Sequence, residues 1–376
     1  MSKVMIFHAP YPMETNPTSA SRLRPLRMRE AFKTLGYDVI DVSGTTPQRR
    51  QALKSLRKTL KSGLRPDFFY SENSTQPNLF ATSIKDGFAP TLDYRIMRQA
   101  HQHNIPIGVF YRDIYWRFPQ FAAKDLIGRI SPLLHRLDMC GYQRNNAHLF
   151  LPSLKMAEVM GLDASQSFSA LPPAGDDDSV LPLPEQLHPL RLFYVGGIGG
   201  HYRLDKLIKA VVASHNIQMD LVTKELQWQT AIQAGSNLKS ENIHPHHLDS
   251  WQLAPLYAQS QVAVLLVEPT PYRDFAAPVK LFEYISRGRP ILASAGTEAA
   301  RIVSKYDAGW VVDYEDEAIA NILRHLQEHP EEIAEKAAKA AAAAKENTWT
   351  TRAHQVAQTL CPPEAVEYVG AKTGID

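Results

Sequence analysis

The chain has 376 residues, 44% apolar and 21% charged, with a formal net charge of +2, which calls for two ordinary globular domains rather than one small core. No apolar run reaches the roughly 18 residues of a membrane-spanning helix, and Val4-Met5-Ile6-Phe7 is too short for a signal peptide, so a cytoplasmic protein is expected. Cys140 and Cys361 lie far apart and match neither a disulfide framework nor a zinc motif, and no metal or redox role is indicated.

In chain order, the pattern predicts a strand over Lys3 to His8, a helix over Arg22 to Leu35 that stops at Gly36, and a strand over Asp38 to Val42. Together these make one βαβ unit. Between Gln48 and Arg65 the cations Arg49, Arg50, Lys54, Arg57, Lys58, Lys61 and Arg65 meet no acid, while Leu53, Leu56, Leu60 and Leu64 recur at helical spacing. Such a helix suits an anionic membrane surface, or it packs its leucines on a sheet and leaves the cations in water. It lacks the interleaved aromatics of a nucleic-acid binder.

Further strands are predicted over Phe68 to Ser71, Ile107 to Tyr111 and Leu149 to Leu151, with a helix over Leu92 to His103. This alternation predicts a parallel sheet covered on both faces. It breaks at Leu171-Pro172-Pro173-Ala174-Gly175-Asp176-Asp177-Asp178 and Leu181-Pro182-Leu183-Pro184, which read as a domain linker. Met1 to Gly175 carries 23 Lys and Arg against 13 Asp and Glu, and the remainder 18 against 26, so the two halves face different partners.

After the linker the alternation restarts. Strand Leu190 to Val195 runs through Gly196-Gly197-Ile198-Gly199-Gly200 into a helix over Leu204 to Ser214, followed by strands over Met219 to Thr223 and Val262 to Val267. Pro278 then opens a helix that carries Lys280 and Glu283 on one face, stops at Gly288 and feeds the strand Ile291 to Ser294. That lysine and the helix N-terminus can neutralise a diphosphate, while the glutamate one turn on can accept both hydroxyls of a ribose. The same spacing also suits a plain surface ion pair. Two doubly wound domains in tandem, however, aim their strand-following loops at the cleft between them, and this helix starts there. A surface helix over Glu332 to Lys345 and a last helix from Asn347-Thr348-Trp349 to about Leu360 complete the chain.

Four stretches in this order resemble the two-Rossmann-domain (GT-B) glycosyltransferases of bacterial capsule, lipopolysaccharide and exopolysaccharide synthesis. They are Pro10-Tyr11-Pro12 with Arg22 to Gly36; Tyr194-Val195-Gly196-Gly197 with Leu207-Ile208-Lys209-Ala210; Pro278 to Ser294; and Trp349 with Arg352-Ala353. The resemblance implies an α/β fold with an acceptor domain over 1–175, a donor domain over 176–345, and a C-terminal helix and tail over 346–376 that pack back toward the first domain. It implies a nucleotide-sugar donor, a UDP-sugar foremost, held by Lys280 at the diphosphate and Glu283 at the ribose, with Gly196, Gly197 and Arg203 near the phosphates. The base would lie near Lys224 or Glu225. No resident cofactor or metal is implied, and no D-x-D motif closes a strand. The acceptor would be a saccharide or a polyprenyl-diphosphate-linked saccharide at the inner face of the plasma membrane.

One position departs from the family. Many relatives carry a glutamate eight positions before the ribose-binding one; here that residue is Phe275, beside Asp274. Phenylalanine accepts no hydrogen bond, so Asp274 or the loop backbone would have to serve the donor sugar. An inverting transfer also needs a base at the acceptor hydroxyl. Asp113 is the first candidate, expected to stay ionised between Arg112 and Arg117; His8 and Glu72, each at a strand end, follow. All three also fit structural roles: Asp113 an ion pair with its arginines, His8 a satisfied core or loop histidine, and Glu72 a structural carboxylate. A nucleotide-sugar epimerase of the same fold and a non-catalytic nucleotide-sugar-binding subunit are the alternatives. A nicotinamide oxidoreductase is disfavoured because no G-x-G-x-x-G follows the first strand.

Overall fold

In a computed structural model of the chain, the structure describes residues 3–13, 20–81, 87–118, 121, 126–177, 179–186, 188–199 and 202–362. Two six-stranded sheets form the frame, both wholly parallel. The first holds β1 (Lys3–His8), β2 (Tyr37–Asp41), β3 (Phe68–Glu72), β4 (Ile107–Phe110), β5 (His148–Leu151) and β6 (Phe168–Ala170) in the order β2-β1-β3-β4-β5-β6. The second holds β7 (Leu190–Val195), β8 (Ile217–Val222), β9 (Ile243–His246), β10 (Val262–Leu265), β11 (Ile291–Ser294) and β12 (Gly309–Val312) in the order β12-β11-β10-β7-β8-β9.

The helices of the first half are α1 (Ala20–Thr34), α2 (Thr46–Lys61), α3 (Leu92–Gln102), α4 (Leu126–Arg144) and α5 (Leu154–Met160). Those of the second are α6 (Asp205–Ala213), α7 (Glu225–Gln233), α8 (Ala254–Gln259), α9 (Val279–Ser286), α10 (Glu298–Tyr306), α11 (Asp316–Glu328), α12 (Pro330–Ala344) and α13 (Trp349–Leu360). Parallel neighbours require such crossovers, and helices on both faces bury the central strands. Consecutive Met5, Ile6 and Phe7 are therefore all buried, although in a strand they point to alternate faces.

The basic segment forms α2. Gln48 Oε1 accepts the Thr45 amide at 2.8 Å as part of a capping box that fixes the start of the helix. Leu53, Leu56 and Leu60 are buried in the N-terminal core, so the leucine stripe faces the sheet. Arg49 is buried too, paired with the carboxylate of Asp93, and does not belong to the cationic face. Arg50, Lys54, Lys58 and Lys61 do point to solvent.

The described residues of the proline-rich linker form no helix or strand, and buried arginines collect its carbonyls. Arg289 donates to Leu181 O at 3.2 Å and Pro182 O at 2.6 Å, while Arg352 donates to Pro172 O at 3.1 Å. Thr348 caps α13, its hydroxyl accepting the Thr351 amide at 3.1 Å. Trp349, Ala353, Val356 and Leu360 of α13 then pack with Met5, Phe7, Met28 and Phe32, so the last described helix completes the core of the first domain.

Candidate active site

Helix α9 places its residues at the mouth of the second sheet. Pro278 occupies the N-cap position, and Gly288, at φ +67°, takes the left-handed turn that ends the helix before β11. Leu281, Phe282 and Ile285 bury one face in the C-terminal core. Lys280 and Glu283 are left on the cleft side, both half-buried.

Lys280 meets no carboxylate within ion-pair distance among the described residues. Its Nζ donates to the Tyr194 hydroxyl at 3.2 Å and lies over the rings of Tyr194 and Tyr202 at 4.4 and 5.1 Å. Burial, reinforced by the charge of Arg273, pushes its ammonium down to about 7. Arg273 itself lies 5.0 Å from the Tyr202 ring. A lysine held on tyrosine rings and a tyrosine hydroxyl, with no carboxylate in ion-pair distance among the described residues, favours a bound anion. Glu283, one turn on, has a carboxylate that takes no hydrogen bond or ion pair from a described residue. Burial and then the charge of Asp176 push its pKa up, while Lys280, Arg287 and Arg27 oppose that shift.

The glycine turn shapes this pocket differently from expectation. Gly196 has φ +150°, a backbone conformation that side chains rarely adopt, and a Cβ there would displace the Lys280 ammonium. Its amide donates to Val222 O at 2.9 Å, however, and is not available to a phosphate. The Gly197 carbonyl accepts the Tyr194 hydroxyl at 2.7 Å, which fixes the ring on which Lys280 rests. Arg203 lies on the surface, paired with Asp205 at 3.2 Å and Glu268 at 3.3 Å. Lys224 is the N-cap of α7 and Glu225 its first residue, both exposed.

The loop after β10 crosses the cleft. Phe275 is 1% exposed and packs in the core of the N-terminal domain, stacked on Phe118, with its carbonyl accepting Ser153 Oγ at 2.6 Å. It is thus a plug between domains, and neither its side chain nor its carbonyl faces a donor. Asp274 pairs with Arg301 at 2.8 Å and lines a separate groove of about 620 Å³ shared with Lys305 and Arg352. Of this loop it is Arg273 that joins the Lys280 cluster.

Across the cleft, Asp113 follows β4. Its carboxylate accepts the Ile114 amide at 2.7 Å and the Tyr272 hydroxyl at 2.7 Å. Burial raises its pKa to about 6, against the lowering by these hydrogen bonds, where the sequence led us to expect a low value. The reason is that neither flanking arginine serves it. Arg112 turns to Glu72 and Tyr11, and Arg117 to the Val159 carbonyl.

His8 and Glu72 are not placed to meet a substrate. The His8 ring is 1% exposed and bonded to Ser71 Oγ at 2.8 Å and Asp93 at 3.0 Å. Glu72 is fully buried between Arg24, Tyr70 and Arg112. Both strand ends turn inward, where the network closes around them. Tyr194, Tyr202 and Arg273 escaped the sequence reading because a tyrosine at a strand end and an arginine in a loop carry no spacing signal.

Residues 203–358 match the family model described as glycosyl transferase-like. No curated protein sequence matches the chain. Among solved structures it is similar to sucrose-phosphate synthase from Thermosynechococcus elongatus, at 14% identity and TM-score 0.65 over 95% of this chain and 98% of that one. It is similar to WaaG, a glycosyltransferase involved in lipopolysaccharide biosynthesis, at 15% identity and TM-score 0.59 over 95% and 100% of the two chains. It is also similar to Anabaena HepE, solved in complex with UDP, at 13% identity and TM-score 0.58 over 95% and 99%. The fold is therefore the two-Rossmann-domain GT-B architecture.

Proposed function

We propose that this protein is a glycosyltransferase that moves a sugar from a UDP-sugar to a saccharide or polyprenyl-diphosphate-linked acceptor in bacterial surface-polysaccharide synthesis. The observation that carries the reading is Lys280, a half-buried lysine at the N-terminus of α9 that meets no carboxylate among the described residues, with Glu283, whose carboxylate takes no bond from a described residue, one turn further. Similarity to a lipopolysaccharide glycosyltransferase and to a UDP complex supports the substrate class.

In this reading Lys280, Arg273 and the α9 N-terminus balance the charge that develops on the leaving diphosphate, so the transfer needs no metal. Glu283 accepts the ribose hydroxyls. Asp113 takes the proton of the acceptor hydroxyl, for which it must exchange its hydrogen bond from Tyr272 for one from the acceptor. Incubating the protein with a UDP-sugar alone tests the class: a transferase leaves the sugar nearly unchanged until an acceptor is added, whereas conversion of the sugar without acceptor would make the protein an epimerase.

No helix among the described residues is long and apolar enough to cross a membrane, and the site works from the cytoplasmic side of a membrane surface. That contact uses the cations Arg50, Lys54, Arg57, Lys58 and Lys61 of α2. On α4, Leu133 and Leu137 are 59% and 55% exposed, near in sequence to the exposed Arg129 and Arg136, and add apolar insertion. Replacing Arg50, Lys54 and Arg57 with glutamine releases the protein from anionic vesicles; unchanged co-sedimentation refutes this surface.

A further inference from the structure

The groove of about 620 Å³ beside Asp274 is open between the two domains, and neither Lys280, Glu283 nor Asp113 belongs to its wall. One side is Ser153, Lys155 and Glu158, just after β5; the other is α10, with Arg352 of α13 between them. Its size suits a small organic molecule, since ligand pockets span about 300–1,000 Å³.

The acids of this groove are matched. Asp274 and Glu298 each pair with Arg301 at 2.8 Å, and Glu158 pairs with Lys155 at 2.6 Å. Two cations are left over. Lys305, at the end of α10, meets no carboxylate among the described residues, and its Nζ donates to the Tyr306 hydroxyl at 3.3 Å. Arg352, 6% exposed, gives Nε to the carbonyls of Pro172 and Pro173 at 3.1 and 3.3 Å and Nη2 to Asn347 Oδ1, all neutral acceptors. Its Nη1 has no acceptor among the described residues and is not one of the enclosed atoms, so it is open to a ligand in the groove.

The Tyr306 hydroxyl donates to the same Asn347 oxygen at 3.5 Å, so Lys305, Tyr306, Asn347 and Arg352 form one chain along the groove wall. Neutral partners do not balance the charge of a buried guanidinium, and its burial is costly without an opposite charge. That cost holds the Arg352 guanidinium down, to about 10. An anion in the groove supplies the missing charge and takes charge-assisted bonds from both cations.

We propose that this groove binds a small anionic molecule whose phosphate or carboxylate meets Lys305, the Tyr306 hydroxyl and Arg352. The site goes beyond the glycosyl-transfer reading and is distinct from the diphosphate position at Lys280. An occupant that reaches Ser153 and Lys155 on the opposite wall ties the two domains together. It also abuts the interdomain plug, because Ser153 holds the Phe275 carbonyl.

Isothermal titration of the full chain, in saturating UDP to fill the donor site, tests the groove with glucose 6-phosphate, glucuronate and glucose, which share a ring and differ in the anion. At least one of the two anions should bind and glucose should not, and the tighter anion tells whether phosphate or carboxylate is recognised. Lys305→Gln should weaken that binding about tenfold, with UDP affinity within about twofold. Because Lys305 is exposed and holds no ion pair among the described residues, the melting temperature without ligand should not change. Tyr306→Phe, which changes no charge, should weaken binding by a smaller factor. Failure of both anions to bind, equal binding of glucose, or unchanged affinity in Lys305→Gln would each overturn the proposal, the last by placing the anion elsewhere. Failure of UDP to bind would instead defeat the glycosyl-transfer reading, and the same titration without UDP still reads the Lys305 dependence.

Discussion

The hydroxyl of Tyr272 donates to the carboxylate of Asp113 at 2.7 Å, so a residue of the C-terminal domain holds the candidate base of the N-terminal domain. The Tyr115 ring stacks on Tyr272 at 5.0 Å and 12°, which fixes the hydroxyl from the other side. The hydrogen bond partly offsets the burial that brings Asp113 to about 6.

A base must be unprotonated to act. Transfer measured as kcat/KM should therefore rise with pH through about 6 and level off above it. Tyr272→Phe removes a contribution that lowers the pKa, so the rising limb should move to higher pH. Asp113→Asn should lower kcat by about 10²- to 10⁴-fold, the usual range for a general base. A limb that stays in place in Tyr272→Phe would show that another group controls it.

Domain coupling depends on Phe275. Its ring fills a position in the core of the opposite domain against Phe118, so Phe275→Ala should destabilise the protein by about 3–5 kcal/mol. The melting temperature should fall and the scattering radius should grow as the domains separate. An unchanged radius and melting temperature would place the ring outside the interdomain contact.

At Gly196 two effects of alanine coincide: φ +150° disfavours any side chain, and the added Cβ strikes Lys280. Gly196→Ala should weaken UDP binding more than Gly199→Ala, because Gly199 has open space around its Cβ position. Comparison of the two by thermal shift with and without UDP separates local strain from loss of the site.

The affinity for UDP should also depend on pH. In the free protein Lys280 loses its proton above about 7, whereas the bound diphosphate favours the charged form, so binding takes up a proton. Affinity should fall as pH rises from about 7 toward 9, and Lys280→Arg should flatten the profile because a guanidinium does not titrate there. A flat wild-type profile would show that Lys280 stays charged.

Most of the fold was legible in the sequence because the buried parallel strands are continuous apolar runs, as in Val262 to Leu265, separated by glycine and proline signals. The short edge strands β6, β9 and β12 were not, since Ile243–His246 carries two histidines and a proline and edge strands need few apolar residues. At the site, Lys280 and Glu283 were legible as a helix-face pair. What spacing could not show is where a neighbouring side chain turns. Arg112 turns away from Asp113, Arg49 turns into the core, and Phe275 enters the other domain, each set by contacts between residues distant in sequence. His8 and Glu72 stand at strand ends as active-site residues do, and only the packed network reveals that both are enclosed.

The most direct measurement is the titration of UDP into the wild-type and Lys280→Ala proteins at pH 6.5, where about half or more of Lys280 is charged. Wild type should bind, and the variant should bind at least about tenfold more weakly with an unchanged melting temperature in the absence of ligand. Equal affinities in the two folded proteins would contradict the assignment of the α9 N-terminus as the diphosphate site.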